Sequence, residues 1–175
     1  MKRTICLILY YGFARFLPQS CSKLFGKSSR WIRYQLCKRI FLRCGTDVNV
    51  ERLAHFGNGK SIEIGNNSGL GINCRIPNNT IIGDDVMMGP DCIILDRNHA
   101  TDRTDIPMRC QGFTSNGKIQ TVIGNDVWIG MNVTMTPGRK ISDGSVIGAC
   151  CLLCKDFPAY SIIGGNPARL IRSRK

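Results

Sequence analysis

No apolar run in this sequence reaches the roughly 20 residues that a membrane-spanning helix requires. The longest, residues 5–14, follows two cations and is closed by Arg15 with no small-x-small pair behind it, so neither a bilayer span nor a cleaved signal peptide is expected. Histidine is scarce, with only His55 and His99. The cysteine cluster Cys150, Cys151 and Cys154 has no second CxxC and no suitably spaced histidine beside it, so no metal site is expected there. Acidic residues are missing from the first 46 positions, which carry ten Lys or Arg, and residues 169–175 add four more basic side chains. Residues 47–168 hold ten basic and twelve acidic residues, so the formal charge of +12 belongs to the two ends. A basic groove through the body, and with it nucleic-acid binding, is not expected. Ten cysteines would make a disulfide framework only in a small secreted domain. Free thiols in a reducing cytoplasm are the expectation, and 175 residues suit one principal core.

What is abundant is glycine, 19 residues of it, and the excess has a period. An aliphatic residue stands at Ile64, Leu70, Ile76, Ile82, Met88 and Ile94, and again at Ile123, Ile129, Met135, Ile141, Ile147 and Leu153. The next position is glycine in seven of these twelve units, and the fifth is small or β-branched in nine, among them Cys74, Cys92 and Cys151. A period of six does not fit a helix of 3.6 residues per turn, and Gly65-Asn66-Asn67 or Gly83-Asp84-Asp85 would weaken one. Short extended segments that turn a corner and repeat do fit, with one bulky and one small side chain per unit pointing inward. Each unit then touches only the coils above and below, which makes a solenoid. Two further units, residues 44–49 and 50–55, precede the regular ones out of phase.

On these residues the sequence resembles the hexapeptide-repeat acyltransferases over residues 44–172. Ile123-Gly124-Asn125-Asp126-Val127-Trp128-Ile129-Gly130 and Gly164-Gly165-Asn166-Pro167-Ala168-Arg169-Leu170-Ile171 resemble stretches of the maltose, galactoside and polysaccharide O-acetyltransferases. The resemblance implies an all-β solenoid, a left-handed parallel β-helix with three hexapeptides per coil. That handedness is an exception to the crossover rule. It also implies a homotrimer with active sites between subunits and acetyl-CoA as co-substrate. Two histidines are too few for the γ-type carbonic anhydrase, another enzyme on this fold, which needs three on zinc.

Residues 95–122 interrupt the register, and a long irregular excursion within a compact domain is usually functional. His99 lies at its start, seventeen residues beyond Ile82, where the family places its catalytic histidine. Acetyl transfer to a hydroxyl needs a base near neutrality, which imidazole supplies. By resemblance His99 takes the acceptor proton, with Asn98 or Asp96 orienting the ring, and backbone N–H groups stabilise the oxyanion. The residues that match the coenzyme groove are Trp128, Met131, Ala149, Cys154, Lys155, Arg169 and Arg172, the basic ones suiting phosphates. Trp128 is equally readable as a packing residue, and Asn73 is the nearest candidate for the acceptor contact. Arg139, Ser142, Cys150 and Cys154 depart from the family's small aliphatic, Gly, Gly and Thr.

Residues 1–43 form a basic amphipathic arm, helical in two stretches separated by residues 18–27. Such an arm suits either the interface of an anionic membrane or a cap on the solenoid's open end. The expected activity is acetyl transfer from acetyl-CoA to a sugar hydroxyl of a cell-surface polysaccharide precursor. Serine or another small acceptor, and a non-catalytic scaffold, are the alternatives.

Overall fold

The computed structural model describes residues 2–114 and 119–175. Two helices come first, α1 (Arg3–Gly12) and α2 (Gly26–Ile40), with a single 3-10 turn at Ala14–Phe16 between them. The rest of the chain is built of short strands. They are β1 (Arg43–Cys44), β2 (Asn49–Val50), β3 (Glu63–Ile64), β4 (Gly69–Leu70), β5 (Thr80–Ile82), β6 (Met87–Met88) and β7 (Ile93–Ile94). After the interruption follow β8 (Thr121–Ile123), β9 (Trp128–Ile129), β10 (Thr134–Met135), β11 (Lys140–Ile141), β12 (Val146–Ile147), β13 (Leu152–Leu153), β14 (Ser161–Gly164) and β15 (Arg169–Ser173).

These strands stack into three faces. One runs β1-β3-β5-β8-β11, a second β6-β9-β12-β14-β15, and a third β7-β10-β13. All pairs are parallel except the closing one, β14 with β15. Strands β2 and β4 pair at the start of the second face, where the Gly69 N–H reaches the Val86 carbonyl. Isolated bridges from His55 to Arg75 and from Arg75 to Ile93 extend the third. Partners lie 18 residues apart in regular coils, as for Ile64 and Ile82, and 41 apart across the interruption, as for Ile82 and Ile123. The two early units are in register after all, because a first coil of 20 residues pairs Cys44 with Ile64 and Val50 with Leu70.

The period of six is therefore one residue column per face. Eleven of the twelve aliphatic positions are buried, and Met88 packs partly against them. All nine small positions, from Ser68 to Cys151, are buried too. Glycine follows the aliphatic residue because successive corners stack backbone on backbone. A Cβ at Gly83 would lie 2.7 Å from the Gly124 carbonyl oxygen, and one at Gly130 would lie 2.6 Å from the Ala149 nitrogen. Two residues on, the corner needs a left-handed backbone. Asn67, Asn73, Asp85, Asp91, Asp126 and Asn132 supply it, with φ between 52° and 58°. Asn and Asp tolerate that region better than other L-residues. Cys150 holds the same position with φ 59°.

The helices close the first coil. Cys6, Tyr10 and Ala14 form one buried face of the first stretch, at the i, i+4 spacing of a helix stripe. The Tyr10 ring lies 4.6 Å from that of Phe56, and its hydroxyl donates to the Ala54 carbonyl at 3.0 Å. From α2 the fully buried Arg33 donates to the carbonyls of Val50 at 2.5 Å and Pro18 at 2.9 Å, and approaches the Glu51 carboxylate at 3.5 Å. Neither helix has a side-chain cap or an acid in its first turn, so packing on the coil is what holds them. Burial alone would raise the pKa of Glu51, but hydrogen bonds from Ser20, Asn49 and the Arg52 N–H outweigh it and hold the carboxyl below its ordinary value. Ten free cysteines are present, five of them buried in the packing. Among the described residues no helix is long and apolar enough to cross a membrane.

Replacing Cys150 with Asn should raise stability by about 0.5–1 kcal/mol, because a left-handed L-residue without a short polar side chain costs about 1–2 kcal/mol. A denaturant midpoint equal to or below the wild type's would contradict this. Glu51 has a depressed folded pKa, so its contribution is full above the ordinary glutamate value of 4.5 and is lost as the pH falls through the lower folded value. Glu51→Gln should therefore be less stable than wild type at neutral pH and converge with it in acid, as read from melting temperature against pH.

Candidate active site

The chain leaves the prism after β7. Leu95 still pairs with the next coil, its N–H reaching the Met135 carbonyl at 2.9 Å. The excursion ends two residues earlier than the sequence suggested, because Thr121 and Val122 already belong to β8. Within it the chain folds back as a small antiparallel bridge between His99 and Phe113. The Ala100 N–H donates to the Gly112 carbonyl, and the Thr114 N–H to the Asn98 carbonyl at 2.9 Å. Gln111 braces the far end, its amide donating to the carbonyls of Arg103 at 2.7 Å and Ile106 at 3.1 Å. Residues 115–118 of the expected loop lie outside the described residues.

This pairing fixes the imidazole. His99 Nδ1 lies 3.2 Å from the Gly112 carbonyl oxygen, and since a carbonyl only accepts, the proton sits on Nδ1. The free lone pair is then on Nε2. The ring stacks at 4.7 Å on Phe113, tilted by 32°, and the Arg97 guanidinium carbon sits 4.0 Å from the centre of the same Phe113 ring. The group holding the imidazole is thus the Gly112 carbonyl rather than the Asn98 or Asp96 side chain. Asn98 contributes its main chain to the bridge. Asp96 faces elsewhere, into a cavity of about 590 Å³ shared with Ser61, Glu63, Asn78, Asn79 and Gln120. Asn79 donates to the Ile119 carbonyl there, and its own Oδ1 is buried without a partner among the described residues. His55 stands outside this loop, two bridges below Ile93 on the third face. It lies against Tyr11, and burial followed by the charges of Arg15 and Arg75 presses its pKa below the ordinary imidazole value.

Four of the other expected residues flank the β7-β10-β13 face, while Trp128, Arg169 and Arg172 lie on the β6-β9-β12-β14-β15 face. Met131 and Ala149 occupy stacked corners before β10 and β13, both exposed. Cys154 and Lys155 follow β13, on the edge from which the loop departs, with the Thr136 N–H reaching the Leu153 carbonyl beneath them. Trp128 is not core. It points outward from β9, 54% exposed, in register with Met87 and Val146. Arg169 and Arg172 are exposed on β15, and Asn73 is a left-handed corner residue whose amide donates to Asp91 at 2.7 Å. Arg139 and Ser142 are absorbed by the coil, Arg139 donating to the Cys154 carbonyl at 3.0 Å and Ser142 to that of Phe157 at 3.0 Å. Among the described residues, no group of three His, Cys, Asp or Glu is gathered as metal ligands would be.

Residues 120–155 match the bacterial transferase hexapeptide family (six repeats). Over 98% of its length the chain is 33% identical to the galactoside O-acetyltransferase of Escherichia coli K12, covering 78% of that protein. The chain belongs to the hexapeptide-repeat acetyltransferases. A galactoside acetyltransferase solved in complex with coenzyme A superposes with a TM-score of 0.79 at 31% identity, covering 99% of this chain and 80% of that one. The hexapeptide-repeat acetyltransferase of Vibrio cholerae complexed with acetyl coenzyme A gives 0.75 at 28% identity, over 99% and 87%. Likeness of this extent makes the prism a left-handed parallel β-helix, as in the family.

Sequence reasoning missed Gly112, Phe113 and Arg97. Their part depends on a backbone bridge thirteen residues long that no alternating pattern announces. Nitrogen-15 NMR in alkaline buffer should show His99 as the Nδ1–H tautomer. Phe113→Ala should release the ring and let the more common Nε2–H form appear. An unchanged tautomer ratio would remove Phe113 from the site.

Proposed function

We propose that this acetyltransferase moves an acetyl group from acetyl-CoA to a sugar hydroxyl of a cell-surface polysaccharide precursor, with His99 as general base and no acyl-enzyme. The observation that carries the reading is the imidazole fixed through Nδ1, which leaves Nε2 as the proton acceptor. The hydroxyl oxygen attacks the thioester carbonyl carbon while its proton passes to Nε2. The C–S bond then breaks as the tetrahedral intermediate collapses, and the imidazolium returns the proton to the departing sulfur. Backbone N–H groups outside the coil-to-coil ladder suit the oxyanion and the pantetheine amides, and Lys155, Arg169 and Arg172 suit the coenzyme's phosphates. Among the cofactor candidates Met131, Ala149, Cys154 and Trp128 would line the arm's path.

The cavity that Asp96 lines with Glu63, Asn78 and Gln120 is the acceptor side of this reading, since a polyhydroxylated ligand brings donors to such carboxylates and amides. It replaces Asn73 as the first candidate for an acceptor contact. In one chain His99 is exposed and the coenzyme residues are spread over two faces, so a homotrimer that sets one copy's loop against its neighbour's edge completes the site. On this reading residues 44–172 form the catalytic body, residues 1–43 an appended cap, and the reaction is cytoplasmic.

His99→Ala should lower turnover by about a hundredfold or more, the usual weight of a general base. Thiol release from acetyl-CoA in the presence of candidate glycans reads it, with calorimetric acetyl-CoA binding expected to stay near wild type. Wild-type turnover in the variant would overturn the assignment.

A further inference from the structure

Helix α1 is apolar on both sides, and the solenoid uses only one of them. Cys6 and Tyr10 turn into the core, while Ile5, Ile8, Leu9 and Phe13 stand in solvent on the opposite stripe, Ile8 at 65% and Phe13 at 58% exposure. Phe16 continues the line in the following turn. A helix apolar all round is normally covered all round, and an unbroken stripe of this kind marks a contact surface. In the segment that joins the helices, Leu24 and Phe25 are also exposed, Leu24 at 81%, between the exposed Lys23 and Lys27. Trp31, one turn after Lys27 on α2, is exposed too.

Charge decides what covers them. Residues 1–46 carry ten basic side chains and no acid. Some of these cations serve the fold: Arg33 is buried, Arg3 donates to the Ile40 carbonyl, Arg15 to that of Leu53, and Arg30 pairs with Asp47. Lys2, Lys23 and Lys27 are exposed. A second copy docked stripe to stripe would set two acid-free arms against each other, a like-charge contact. An anionic bilayer surface takes aliphatic and aromatic side chains into its acyl boundary and lysines at its headgroups, and imposes no fixed pattern of polar partners.

We propose that α1 and the Lys23-Leu24-Phe25 turn seat this enzyme peripherally on an anionic lipid surface, with the stripe Ile5, Ile8, Leu9 and Phe13 in the interface and the other face of the helix capping the solenoid. The proposal does not depend on which acceptor the enzyme uses. It does carry a consequence for the acceptor, since an enzyme held at the bilayer meets lipid-linked glycans at raised local concentration.

Flotation of the full-length protein with vesicles tests it. Phosphatidylglycerol–phosphatidylcholine vesicles should bind the wild type at least about tenfold more tightly than phosphatidylcholine alone, a ratio that a few exposed lysines supply. The double variant Ile8→Glu, Phe13→Glu should lose binding by at least about tenfold, since it puts two charges into the interface. Both residues are exposed and outside the active site, so melting temperature and thiol release with a soluble acceptor should stay at wild-type values. Lys23→Glu with Lys27→Glu should abolish the preference for anionic vesicles. Equal flotation of wild type and Ile8→Glu, Phe13→Glu would overturn the proposal, as would no flotation of the wild type. A fall in oligomer size for that variant by light scattering would assign the stripe to contacts between copies instead.

Discussion

A coil of this prism can sit on the next only where two backbones come within van der Waals contact at the corners, and that constraint orders the rest of the molecule. It demands glycine where corner backbones stack closest, as at seven of the twelve units, since a Cβ at Gly83 or Gly130 would collide with the coil above. It requires a left-handed residue two positions later, met by Asn or Asp at seven corners including that of Asp47, by Gly138 and Gly144 at two, and by Leu53 and Cys150 at two more. Because those demands repeat with the chain's own period, the body could be read from spacing. The columns of aliphatic and small residues are buried where the period put them, down to Cys74, Cys92 and Cys151, whose thiols serve as small packing groups. The out-of-phase start was legible only in part, because two added residues in the first coil break the count without breaking the stack.

The same regularity explains why the chemistry sits outside the repeats. A coil position faces the interior, forms a stacked corner or stands on a flat outer face as Trp128 does, so a side chain that must be gripped from several sides needs a segment released from the stack. The excursion after Leu95 is such a segment. Its histidine was visible in the sequence because imidazole is rare here and its place is conspicuous. What orients it was not visible. Asn98 and Asp96 are the polar neighbours that chain proximity suggests, yet the ring is held by Gly112 and Phe113, brought back by an antiparallel bridge. Backbone carbonyls carry no sequence signature, and a stacking pair such as Arg97 and Phe113 is indistinguishable from two unrelated loop residues until the loop is folded.

A fixed imidazole in an otherwise open position also bears on assembly. His99 touches its own loop, whereas the residues suited to the coenzyme are spread over two faces and the corner between them. For the thioester to lie beside Nε2, something must wall the open side of the loop, and the neighbouring copy in the proposed trimer supplies that wall with no further element. Trp128 and Met87, outward and in register on β6 and β9, are then surface aromatic and thioether groups at hand for such contacts.

The arm shows how one helix answers two demands. The first coil would expose its own interior, as any solenoid end does, and Tyr10, Cys37 and Ile40 close it with Arg33 binding the Val50 carbonyl that no next coil can take. A purely protective cap would turn a polar back to water. This one keeps Ile5, Ile8 and Phe13 there, and surrounds them with lysine and arginine unrelieved by any acid before Asp47. Exposed apolar surface lowers solubility, and self-repulsion of like charges raises it, so the two features offset one another in solution. They act in the same direction at an anionic bilayer, where the lysines meet phosphate and the apolar stripe leaves water.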